Sequence, residues 1–173
     1  MPYRRYIVID TEATSCKFTC NSMLQFSCLD EFGNVLYNRY FRPHEEDPLW
    51  PNLVAAGKTV APERLRYAED FRGPSQRIIS LFASAYIVVG FNISFDLQLL
   101  RKEQAGIPGR KGFFVNDVQK ILERGFPGIQ SKYKDKTMSL SEWSHELGYT
   151  LPKGDRWHDA VIPPHHLITM CAY

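Results

Sequence analysis

Tyr6-Ile7-Val8-Ile9-Asp10-Thr11-Glu12 is an apolar, β-branched run that ends in two carboxylates. The apolar part reads as a buried β-strand. Residues at i and i+2 on a strand project from the same face, so Asp10 and Glu12 aim their charges at one region of space. Two like charges that close repel, and a cation is the usual means of holding them together. Asp-x-Glu alone is a common pattern. Its meaning depends on which other groups the rest of the chain brings to it.

Working outward, residues 23–30 (MLQFSCLD) and 34–42 (NVLYNRYFR) are β-rich runs joined by Asp30-Glu31-Phe32-Gly33. A glycine-containing loop between two such runs predicts a hairpin, and with the first strand an antiparallel meander. The proline-rich stretch 43–62 reads as a long surface loop, and 63–85 as two helical pieces broken at Gly73-Pro74. Tyr86-Ile87-Val88-Val89-Gly90-Phe91 predicts a second buried strand. A helix follows it, capped by Asn92 or Ser94 and ending near Gly106. Phe113-Phe114-Val115 predicts a further strand, with a helix from Asp117 to about Arg124 behind it. Lys132 to Lys136 is a basic loop, and a last helix spans Leu140 to Leu147, stopped by Gly148. Three antiparallel strands followed by strand–helix units imply an α/β fold, a mixed sheet with helices on its faces.

Composition is that of one ordinary globular domain over residues 1–173, with 44% hydrophobic and 23% charged residues. A net charge of +2 gives no strong electrostatic footprint for nucleic acid, though it allows a local one. Cys16, Cys20, Cys28 and Cys171 contain no Cys-x-x-Cys pair, which argues against zinc and for free thiols. No apolar stretch approaches a membrane span and no signal-peptide pattern stands at the N-terminus, so a cytoplasmic location with no membrane partner is expected.

Two more residues carry chemistry. Asp96 lies in the first turn of the helix that follows the second buried strand. Taken alone it reads as a carboxylate favoured by the helix macrodipole. His158 lies in a polar, glycine-containing segment, Lys153-Gly154-Asp155-Arg156-Trp157-His158. An imidazole titrates near neutrality and suits a general base.

Taken in order, Val8-Ile9-Asp10-Thr11-Glu12, Gly90-Phe91-Asn92-Ile93-Ser94-Phe95-Asp96 and His158-Asp159-Ala160 resemble the motifs of the DEDDh branch of the 3′–5′ exonucleases, relatives of the bacterial proofreading subunits. The resemblance covers nearly the whole chain. It implies a ribonuclease-H-like fold, a five-stranded mixed sheet with helices on both faces. It also implies hydrolysis of single-stranded DNA or RNA from the 3′ end by two Mg²⁺ or Mn²⁺ ions roughly 4 Å apart. By that resemblance Asp10 bridges the metals, Glu12 binds the one that activates water, and Asp96 supports the other. His158 takes the proton of the attacking water. The backbone at Thr11 and Ala13, with Asn92 and Phe95, holds the terminal nucleotide. A polymerase or another replication or repair protein is the implied protein partner.

The chain departs from the family in a small way at Thr14-Ser15-Cys16 and at one important position. Five residues after the histidine, where the family has an Asp, this chain has Pro163, followed by Pro164. Proline ligates no metal. Asp159 is the best substitute ligand, and one ion in place of two is the corresponding expectation. The alternative is an exonuclease domain that binds ends or a protein partner without cutting. Of the tryptophans, Trp143 is expected in the core and Trp157 beside the site.

Overall fold

The computed structural model describes residues 4–15, 22–44, 47, 50–51, 65, 67–71, 75–103, 113–133 and 136–148. Five strands form one sheet in the order β3-β2-β1-β4-β5. They are β1 (Arg4–Ala13), β2 (Met23–Asp30), β3 (Val35–Tyr40), β4 (Ala85–Gly90) and β5 (Phe114–Asp117). β1, β2 and β3 are antiparallel, as the hairpin signal implies. β4 and β5 then add in parallel on the other side of β1, which makes the sheet mixed. The turn between β2 and β3 is organised by Asp30, whose carboxylate accepts from the backbone N–H groups of Phe32 and Asn34, and Gly33 supplies the positive φ of 84° that closes it.

Strand alternation divides β1 between two cores. Ile7 and Ile9 pack with Phe26, Cys28 and Val88 against helices α1 (Ser75–Ala83) and α2 (Ile93–Lys102), through Ile78, Phe82, Ile93, Leu97 and Leu100. Val8 and Val89 face the other way, onto Val118 and Leu122 of α3 (Val118–Gly125) and Trp143 of α5 (Leu140–Glu146). Between these last two run the short helix α4 (Pro127–Gln130) and a 3₁₀ turn, Ser131–Tyr133. The expected five-stranded mixed sheet with helices on both faces is therefore observed, and Trp143 is fully buried as expected. Each such buried large side chain contributes about 1.5–3 kcal/mol of transfer free energy.

Several boundaries move. The helix expected to run to Gly106 ends at Lys102, with Glu103 at its C-cap, and residues 104–112 lie outside the described set. Neither Asn92 nor Ser94 caps it with a side chain; Asn92 holds the N-cap position through a left-handed backbone, φ 54° and ψ 40°. Asn adopts this region more readily than other L-residues. Asp117 is not helical but caps α3, accepting from the Gln119 N–H at 3.1 Å. Lys132 and Tyr133 of the basic loop belong to the 3₁₀ turn. Lys132 and Lys136 are engaged by Glu146 (2.7 Å) and Glu142 (2.6 Å) on α5, so these two cations serve that helix.

Candidate active site

The parallel pairing of β1 with β4 ends at Val8–Val89, and β1 runs on through Asp10, Thr11 and Glu12 paired to β2. The acidic residues thus project past the C-terminal end of β4. In open α/β sheets this is the edge where ligands bind. A bulge follows between Glu12 and Ala13 and turns the strand out of register there.

The β4–α2 connection closes over this edge. A methyl group on Gly90 would sit 3.1 Å from the Ile9 carbonyl oxygen and 3.1 Å from the Ile93 side chain, so a side chain there would force these neighbours to give by a few tenths of an ångström. The Asn92 N–H donates to Asp117 at 3.1 Å, tying the turn to the end of β5. α2 then carries Asp96 into the interior, where it is 3% exposed. Its Oδ1 accepts the Thr11 hydroxyl at 2.6 Å, a bond between residues 85 apart in the chain. Phe95 packs beside it against the α1–α2 core, and Asn92 lies exposed at the rim. Ala13 is half-buried at the end of β1.

Electrostatics make Asp10 the common neighbour. Burial raises its carboxyl to about 6, with the Thr11 backbone opposing. Glu12 is raised to about 8 by burial and then by the charge of Asp10. Asp96 is raised well above its ordinary value by burial and then by Asp10, with the Thr11 hydroxyl pulling the other way. Among the described residues no lysine, arginine or histidine forms an ion pair with any of the three. Hard oxygen donors in a poorly solvated, uncompensated acidic setting are what a divalent cation requires. Yet no three His, Cys, Asp or Glu side chains among the described residues come close enough together to hold an ion. Asp10 and Glu12 lie on the Val8 face of β1, and Asp96 reaches the same edge from α2, held by the Thr11 hydroxyl. The carboxyls fit a divalent cation by donor type and charge, with Asp10–Glu12 the pair best placed to hold it.

Of the predicted site residues, Asp10, Thr11, Glu12, Ala13, Asn92, Phe95 and Asp96 thus share the β1–α2 edge. His158, Asp159, Pro163, Pro164 and Trp157 lie outside the described residues. Sequence reading missed Gln25 and Ser27. They stand opposite Glu12 and Asp10 in the β1–β2 register, and both are buried. Two polar residues at i and i+2 in an otherwise apolar strand were the available signal. It missed Asp47 too, a buried carboxylate that accepts the Thr14 and Ser22 hydroxyls at 2.6 Å each and so ties the chain after β3 to the β1–β2 connection.

No protein-family model matches the chain, and no curated protein matches it in sequence. Solved structures do. A product-bound structure of exonuclease I aligns with a TM-score of 0.72 at 18% identity, covering 98% of this chain and 43% of that one. E. coli exonuclease I in complex with a dA16 oligonucleotide aligns with a TM-score of 0.70 at 17% identity, covering 96% and 40%. A complex described as ExoI/SSB-Ct gives 0.67 at 16% identity, covering 97% and 40%. The chain has the exonuclease I fold. It spans about two fifths of the length of the exonuclease I chains it matches. The ribonuclease-H-like architecture implied by the three motifs is therefore present. No helix among the described residues is long and apolar enough to cross a membrane.

Proposed function

We propose that the protein is a metal-dependent 3′–5′ exonuclease acting on single-stranded nucleic-acid ends. The observation that carries this is the carboxyl set Asp10, Glu12 and Asp96, without an ion-pair partner among the described residues, at the ligand-binding edge of an exonuclease-type sheet. Mg²⁺ or Mn²⁺, when bound, would supply charge neutralisation and an acidified water. Asp10 and Glu12 hold the ion, and Asp96 supports the same edge from α2. Asp159 is the remaining acidic candidate, and His158 accepts a proton from the attacking water. The backbone at Thr11 and Ala13, with Asn92 and Phe95 at the rim, positions the terminal nucleotide. Its setting is a reducing cytoplasm, where a polymerase or repair protein is a fitting partner.

The test is shortening of 3′-labelled single-stranded DNA and RNA with Mg²⁺, with Mn²⁺ and with EDTA. Expected is metal-dependent shortening that falls by at least about a hundredfold in Asp10→Ala, a loss consistent with removing a charge-stabilising group. Intact substrate in both metals at high protein concentration rejects the enzyme. Pro163 motivates the second reading, an end-binding domain without cleavage. Retention of labelled oligonucleotide by uncleaving protein, with hydrolysis gained in Pro163→Asp, selects it.

A further inference from the structure

We propose that Gln25 is a positioning residue of the acidic site, its buried amide oxygen accepting a hydrogen bond from a water in the hydration shell of the cation that Glu12 binds. This rests on the divalent-cation reading of the site.

Gln25 is wholly buried, and the β1–β2 register sets it directly opposite Glu12. Cross-strand partners share a face, with Cβ atoms about 5 Å apart. One end of the Gln25 amide is held: Nε2 donates to Asn38 Oδ1 at 2.8 Å. Ser27, opposite Asp10, donates to the same Asn38 oxygen at 3.1 Å. Asn38 is thus an acceptor for both neighbours, which turns Gln25 Oε1 away from it. That oxygen is buried and has no hydrogen-bond partner among the described residues.

A buried carbonyl without a donor is costly enough that it calls for an explanation. Once a cation has displaced their protons, Asp10 and Glu12 only accept, so they cannot supply the donor. A water held between Glu12 and a cation carries the missing hydrogens. Outer groups of this kind fix the orientation of metal ligands and tune affinity. The row Ser27–Asn38–Gln25 would then do for Glu12 what the Thr11 hydroxyl does for Asp96.

The experiment measures Mn²⁺ binding to the intact protein by calorimetry at pH 7.5, beside urea unfolding without metal. Gln25→Met keeps the volume and removes the acceptor. Its metal-free urea midpoint should equal or exceed the parent's, while Mn²⁺ affinity falls about tenfold. Gln25→Glu returns an acceptor and should restore affinity to within about threefold of the parent, a rescue that packing alone does not give. A folded Gln25→Met that binds Mn²⁺ within about twofold of the parent overturns the proposal, as does a Gln25→Glu no better than Gln25→Met. Should Gln25→Met fail to fold, Asn38→Ala at its exposed position releases the grip instead. Affinity about threefold weaker is expected, and unchanged affinity overturns the inference. A parent protein that binds no Mn²⁺ overturns the cation reading itself, whereas a binding parent with insensitive variants overturns this proposal alone.

Discussion

Thr11 shows how one residue serves two masters. Its backbone belongs to β1 between the two carboxylates, and its hydroxyl holds Asp96 at 2.6 Å. The bond steadies a carboxyl that burial and Asp10 push toward the neutral form. Thr11→Val preserves shape and removes the donor. It should lower stability by about 1–2 kcal/mol, since a buried acceptor is left unmet. Urea unfolding of the two proteins measures it, and equal midpoints would show that the bond contributes nothing. At this scale the sequence was readable for chemistry but not for partners. Asp10, Glu12 and Asp96 announced themselves as carboxylates at element ends. That Asp96 answers to Thr11, and that Gln25 and Ser27 lie beside the acidic pair, depends on the register between strands, which no local signal encodes.

Among elements, the β4–α2 connection is the most constrained. A side chain at Gly90 would crowd the Ile9 carbonyl, and Asn92 must accept a left-handed backbone. Gly90→Ala should therefore destabilise by about 1–3 kcal/mol through overpacking. Gly125, with open space around it at the end of α3, is the control: its change to Ala should be neutral or stabilising by under about 1 kcal/mol. Thermal melts of both variants decide the matter, and equal melting temperatures would refute the close-approach argument. Gly-Phe-Asn before Asp96 was visible as a motif, but its reason was not, because the clash partner lies on another strand. The strands themselves were legible: β2 falls on the expected residues, and β1 and β4 within a few positions, since apolar periodicity and turn chemistry agree there. The start of α2 and the 3₁₀ turn were not, because backbone conformation and not a side-chain cap defines them.

For the molecule as a whole, the acidic edge makes stability depend on pH. Asp10 rises from 3.8 to about 6 and Glu12 from 4.5 to about 8, so the folded state binds protons that the unfolded state has released. Stability must then fall as pH rises through this interval. Below about pH 4 both states hold the protons and the penalty is absent; above about pH 8 it is complete. In EDTA the melting temperature should decline from pH 5 to pH 8, by whatever other groups allow. Mn²⁺ should raise it more at pH 8 than at pH 5, because ligands must lose protons to bind. A metal-induced rise that is equal at the two pH values would contradict the assignment of Asp10 and Glu12.

The pairing of β1 with β4 joins Arg4 to Ala85, whereas β1 and β2 meet through a short connection. Distant segments close slowly, so the local meander should form before β4 and α2 arrive. The repulsion between Asp10 and Asp96 would then be absent from the rate-limiting ensemble and present only in the native basin. Raising pH in metal-free buffer should accordingly speed unfolding by more than it slows folding. Stopped-flow chevrons at pH 5 and pH 8 would display it as a larger shift of the unfolding arm than of the folding arm. The acidic edge would then act as a kinetic weak point, one that an arriving cation closes.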